Sequence, residues 1–185
     1  ILSPMKNSNI PFLPTPGNHD AYYANERSLY KTFWSKNKAA IEYVDDSNYP
    51  FYYSFKKNNV FFVSLDDAKY ESLYNRTTQL NWLKKQLLST TAKNARARIV
   101  YGHIPLYSIA TKSAKSKDIY QNGVIKSERL SKSKFSLEGI LLDHKVDLVI
   151  FGHSHSYFGG DYVYPDGREL SVISLPCAGG TQRYL

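Results

Sequence analysis

The run Val146-Asp-Leu-Val-Ile-Phe151 is almost continuously apolar and stops abruptly at Gly152-His153-Ser154-His155. A strand buried on both faces has this composition, because a parallel sheet between layers of helices leaves neither face to water. The four residues at its end are of another kind. Glycine frees the backbone to turn sharply, and two imidazoles two residues apart on an extended segment face the same side.

The pattern recurs upstream. Arg98-Ile-Val-Tyr101 runs into Gly102-His103, and the proline-rich, apolar stretch Ile10-Pro-Phe-Leu-Pro-Thr-Pro-Gly17, read as a short buried strand, runs into Gly17-Asn18-His19-Asp20. Four of the five histidines stand at these three exits, and only His144 lies elsewhere. Between the exits, a helix is expected from about Asn25, with Asn25 as N-cap and Leu29, Tyr30, Phe33 and Trp34 on one face. Phe51 to Phe55 and Val60 to Leu65 read as aromatic-rich strands around the tight turn Lys57-Asn58-Asn59, and Asp66 and Asp67 close the second. Thr77 or Thr78 is placed to cap a helix whose Leu80, Leu83, Leu87 and Leu88 form a stripe opposite Asn81, Lys84 and Lys85. A further helix is expected over Phe135 to His144, and a turn at Pro165-Asp166-Gly167 between Tyr162 to Tyr164 and Glu169 to Leu175. Strands alternating with helices give an α/β fold, in which ligands gather where loops leave the carboxyl ends of the strands.

Composition sets the outer limits. With 185 residues, 42% hydrophobic and 22% charged, the chain has room for one packed domain and lacks the signature of disorder. Its longest apolar runs are far short of the roughly 20 residues that cross a bilayer. A single cysteine, Cys177, rules out an internal disulfide and a thiolate zinc site. The net charge of +8 favours anionic partners. Much of it lies in Lys112, Lys115, Lys117, Lys126, Arg129, Lys132 and Lys134, which read as a solvated surface loop or as a loop that attracts an anionic substrate, with Tyr107 and Tyr120 beside its organic group.

Taken singly, a Gly-His at a strand end reads more often as a turn with a hydrogen-bonded histidine than as a metal ligand. Gly-His-x-His suits one metal or two neighbouring ones, and Gly-Asn-His-Asp adds an amide oxygen for a hard or borderline cation beside an imidazole able to act as an acid. Together the three exits point to a metal site.

In this order, Gly17-Asn18-His19-Asp20, Gly102-His103 and Gly152-His153-Ser154-His155 resemble the last three motifs of the calcineurin-like metallophosphoesterase superfamily. Val100-Tyr-Gly-His103 is similar to the Val-x-x-His form of the purple acid phosphatases. Gln79 to Leu87 and Gly102 to Ile109 are similar to their tartrate-resistant branch. The resemblance implies a four-layer sandwich, two packed mixed β-sheets flanked by helices. It implies that Asn18, His103 and His153 bind a second, exchangeable metal and His155 a first, iron with iron, zinc or manganese. His19 would contact the phosphate and help the leaving oxygen depart, and Asp20 would steady the turn. The implied activity is hydrolysis of small phosphate monoesters by a metal-bound hydroxide.

The family's first two motifs would precede Gly17, where sixteen residues include no acidic one. The expectation is one catalytic domain over residues 1–185, a fragment lacking its N-terminal strands and its C-terminal end. Rival readings are a phosphodiesterase or nucleotidase of the same superfamily, and a non-catalytic protein that has lost half of the metal site. A nucleic-acid-binding module built on the lysines is a third and is not expected. A secreted or periplasmic location is implied only by the acid-phosphatase resemblance, and the oligomeric state is open.

Overall fold

The computed structural model describes residues 7–68, 77–106, 137–164 and 166–176. The lysine-rich segment with Tyr107, Tyr120 and the Asn122-Gly123 turn lies outside them, as do Pro165 and Cys177. The elements in chain order are α1 (Ala24–Lys36), β1 (Tyr43–Asp45), β2 (Tyr53–Lys57), β3 (Val60–Ser64), α2 (Thr77–Leu87), α3 (Thr90–Lys93), β4 (Ala97–Tyr101), α4 (Leu137–Asp143), β5 (Leu148–Phe151), β6 (Phe158–Val163) and β7 (Glu169–Ser174).

The seven strands form one mixed sheet in the order β1-β2-β3-β4-β5-β7-β6. β3, β4, β5 and β7 run parallel in the middle, and antiparallel pairs close both sides. The α/β class expected from the sequence is what the chain adopts. Where the resemblance implies two packed sheets, the described residues form a single one.

Local chemistry explains most of the elements. Asn58 and Asn59 both take left-handed φ, 50° and 59°, which is the two-residue turn that matches the twist of the β2–β3 hairpin. Gly167, with φ of 81°, turns β6 back onto β7. The alternating residues Phe61 and Val63, Val100, Val149 and Phe151, and Leu170 and Val172 point to one face of the sheet. There they join Leu80, Leu83 and Leu87 of α2 and Leu137, Ile140 and Leu141 of α4 in one buried cluster. Leu83 is wholly buried, and burying such a side chain contributes roughly 1.5–3 kcal/mol.

Several local expectations are corrected. Residues 10–17 form no strand: prolines at 11, 14 and 16 supply no N–H to a ladder. The segment is still tied down, because the Tyr53 hydroxyl donates to the Pro14 carbonyl (2.6 Å) and Thr15 Oγ1 donates to the Leu65 carbonyl (3.1 Å). Tyr23, not Asn25, precedes the first turn of α1, and Glu26 Oε2 accepts from the Tyr22 and Tyr23 amides in place of a capping side chain. On α1, Tyr30 is buried and Trp34 stacks on Phe12, whereas Leu29 and Phe33 are exposed. Thr77 and Thr78 lie within α2 rather than before it. Leu88 lies past the end of α2 and is exposed, so the helical stripe stops at Leu87.

Candidate metal centre at the strand exits

Parallel pairing in register brings the exits of β3, β4 and β5 to one end of the sheet: Ser64 pairs with Tyr101, and Tyr101 with Ile150. The ladder continues past the strands, as Leu65 N donates to Tyr101 O, Gly102 N to Ile150 O, and Gly152 N to His103 O. Each Gly-His exit is therefore fixed by its neighbour. Asn18 reaches the same place from the tethered 10–17 segment, on a turn closed by Asp20 N and Ala21 N donating to Gly17 O, while Gly17 N donates to Asp20 Oδ2 (3.2 Å). Asp20 thus stabilises the turn, as the sequence suggested.

Three side-chain atoms converge. His103 Nε2 lies 2.7 Å from Asn18 Oδ1 and 3.1 Å from His153 Nδ1, and His153 Nδ1 lies 3.3 Å from Asn18 Oδ1. Two ligands at right angles around a cation with bonds of about 2.1 Å are separated by about 3.0 Å, so the spacing of the three atoms fits a shared metal. A single proton can bridge one pair of them, not all three. Burial, reinforced by the charges of His153, His19 and His155, holds the His103 imidazole down at about 4, which leaves its lone pair free near neutral pH.

The surrounding backbone is shaped for this approach. A Cβ on Gly17 would stand 3.2 Å from two atoms of the His103 ring, so glycine is what lets the Asn18 turn close on it. His153 and His155 both take left-handed φ, 65° and 57°, which costs a non-glycine residue about 1–2 kcal/mol each. Side-chain bonds from the buried Ser154 Oγ to Ser174 Oγ (3.0 Å), and from Ser174 Oγ to the Ser156 carbonyl (3.1 Å), hold that loop against β7. Non-glycine residues kept in this conformation at a strand exit are the pattern of a functional loop.

Of the residues singled out from sequence, Asn18, His103 and His153 meet directly. His19 and His155 are near enough for their charge to act on His103, His19 exposed and His155 half-buried. Among the described residues, no group of three or more His, Cys, Asp or Glu side chains is gathered for a metal; the third member of the convergent set is an amide oxygen.

Asp66 and Asp67, which the sequence places at the close of a strand, are buried against the site. Asp67 accepts from the His103 amide at 2.8 and 3.0 Å and from the Ile104 amide at 2.9 Å. Burial pushes its carboxyl up, while the amide donors, which favour the carboxylate, pull it down. The signal for this role was two adjacent acids ending an apolar strand at the histidine-bearing edge.

The profile of the calcineurin-like phosphoesterases matches residues 1–157. A purple acid phosphatase of Glycine max is 26% identical over 171 residues, covering 91% of this chain and 33% of its own. Purple acid phosphatase 21 of Arabidopsis thaliana is 29% identical over 155 residues, 81% of this chain and 31% of its own. The Fe(3+)-Zn(2+) purple acid phosphatase 12 of Arabidopsis thaliana is 25% identical, covering 80% and 29%. The chain thus spans about a third of the length of these relatives. In fold it is similar to a purple acid phosphatase from seeds of yellow lupin (Lupinus luteus), with a TM-score of 0.57 at 16% identity over 93% of this chain and 30% of that one. No helix among the described residues is long and apolar enough to cross a membrane. The chain belongs to the calcineurin-like phosphoesterase family.

Proposed function

We propose that this chain contributes to a dinuclear phosphomonoesterase site, with Asn18, His103 and His153 holding one metal, His155 contributing to the other, and His19 acting on the substrate. The observation that carries the reading is the convergence of His103 Nε2, His153 Nδ1 and Asn18 Oδ1 within 3.3 Å of one another. A cation bound there supplies Lewis acidity to the phosphoryl group. Neutral imidazoles and an amide suit zinc, manganese or iron, and the name of the Arabidopsis thaliana Fe(3+)-Zn(2+) relative supports iron paired with zinc.

The chain's own residues do the rest. Asn18 and the two histidines contribute no charge of their own, so a cation they hold keeps its full charge for an anionic ester. His19 is exposed beside them on the turn, where a protonated imidazole contacts a phosphate oxygen and gives its proton to the departing alkoxide. The net charge of +8 raises the local concentration of anionic substrate.

Elemental analysis of the full-length protein, with hydrolysis of p-nitrophenyl phosphate and of its bis-ester, tests the reading. Two metals per chain and turnover of the monoester alone are expected. Turnover of the bis-ester alone would replace a monoesterase by a diesterase, and fewer than two metals with no turnover would leave a binding scaffold.

A further inference from the structure

We propose that Asp66 and Asp67 are paired positioning residues: adjacent carboxylates at the exit of β3, one tying down the loop that carries Asn18 and His19, the other the loop that carries His103. The inference rests on the metal reading above for its consequence, though not for its geometry.

Asp67 acts on the β4 exit. It is 2% exposed and accepts from two successive amides, His103 N and Ile104 N, at 2.8 to 3.0 Å. The His103 carbonyl accepts from Gly152 N at 3.0 Å. The backbone of His103 is therefore gripped on its amide side by the β3 exit and on its carbonyl side by the β5 exit, which fixes the point from which its ring reaches Asn18 and His153. A Cβ on Gly102 would stand 2.5 Å from Asp67 Oδ2, so the carboxylate fills the space against which the turn is built.

Asp66 acts on the other loop. Its carboxylate pairs with Arg27 of α1 through both terminal guanidinium nitrogens, and the same guanidinium donates to the Ala21 carbonyl at 3.1 Å, one residue past the Gly17–Asp20 turn. Arg27 also lies over the Phe51 ring, 4.1 Å from its centroid. The two carboxylates hold their places because Gln79 of α2 brackets the Asp66 backbone, accepting from Asp66 N at 2.8 Å and donating to Asp66 O at 3.0 Å. The loop of Asn18 and His19 and the loop of His103 are thus both referenced to one buried dipeptide. Partners of this kind, one step removed from a metal, typically change its affinity 10–100-fold when lost.

The test uses the full-length protein with Asp67→Ala and Asp67→Asn, His103→Ala as the reference for loss of the site, and Leu83→Ala as a core-destabilised control remote from it. Zn2+ affinity is measured by competition with a chelating dye, and the metal-free variants are crystallised. Asp67→Ala is expected to weaken Zn2+ about 10–100-fold and to carry His103 Nε2 out of hydrogen-bonding reach of Asn18 Oδ1. Asp67→Asn, which keeps one acceptor, should recover part of both, and Leu83→Ala should lower the melting temperature with wild-type Zn2+ affinity. The proposal is overturned if Asp67→Ala leaves the His103 ring in place, or if Leu83→Ala weakens Zn2+ as much as Asp67→Ala does. Should Asp67→Ala fail to fold, the ring position in Asp67→Asn decides. If His103→Ala leaves Zn2+ binding unchanged, the metal reading falls, while the ring position still decides the positioning.

Discussion

Replacing Gly102 with alanine probes the tightest contact near the candidate centre. The added Cβ would lie 2.5 Å from Asp67 Oδ2 and 3.1 Å from its Cγ, and contacts below 3.0 Å are essentially never made, so at least about 0.5 Å must open. Gly102 is not in the left-handed region, so the objection is spatial rather than conformational. If the carboxylate retreats by about 0.5 Å, bonds of 2.8 to 3.0 Å lengthen to roughly 3.3–3.5 Å, the limit of a useful hydrogen bond. Weakening those bonds costs about 1.5–3 kcal/mol, and forcing the backbone aside instead costs about 1–3, so by either route the expected loss is about 2 kcal/mol. For a domain of this size that is a fall in Tm of about 4–8 °C. Thermal unfolding followed by circular dichroism measures it, in the wild type and in an Asp67→Ala background. With the carboxylate gone the methyl has room, and the cost of Gly102→Ala should shrink from about 2 to about 0.5 kcal/mol or less, a coupling of about 1.5 kcal/mol between the two positions. Equal losses in both backgrounds, or none in either, would refute the contact.

Other outcomes rest on the same geometry. His103→Ala should lower Zn2+ affinity by more than the about 10–100-fold of an outer partner, with the fold kept, as isothermal titration and circular dichroism will read. His19→Ala should reduce kcat for p-nitrophenyl phosphate by about 10²–10⁴ with metal content unchanged; wild-type turnover would show that His19 is misassigned. Leu83→Ala, at a wholly buried position beneath the sheet, should cost about 2–5 kcal/mol in a denaturant titration without altering the zinc site. Gln79→Leu removes both bonds to the Asp66 backbone and should destabilise by about 1–3 kcal/mol, with Zn2+ affinity falling as well because the Asp66-Asp67 exit loosens.

The strands that carry the site were legible because their signal is local. Val60 to Ser64, Ala97 to Tyr101 and Leu148 to Phe151 are short apolar runs ending in polar exits, and the leucine stripe of α2 repeats at helical spacing. β1 was not legible, because Tyr43–Asp45 is a three-residue edge strand whose half-buried pattern carries no alternation. The 10–17 segment misled because an apolar run reads as a strand, while its prolines keep it out of the sheet ladder and side-chain hydroxyls hold it instead. On α1 the spacing put four large residues on one face, yet Leu29 and Phe33 are exposed, so periodicity alone did not identify the face that packs.

By itself the sequence determined which residue types stand at the exits: a glycine to turn the chain, then imidazole or amide to offer a lone pair. It also pointed to parallel strands at those exits, since short buried apolar runs joined by helices pair that way in one sheet. Only the tertiary structure decided which donors meet. Asn18 and His153 are separated by 135 positions along the chain, and their atoms come within 3.3 Å because strand register and the tethered 10–17 segment place them there. It alone decided the part of Asp66 and Asp67 as well. A carboxylate looks the same in sequence whether it caps a strand in water or holds two buried amides, and burial, a property of the whole fold, separates the two.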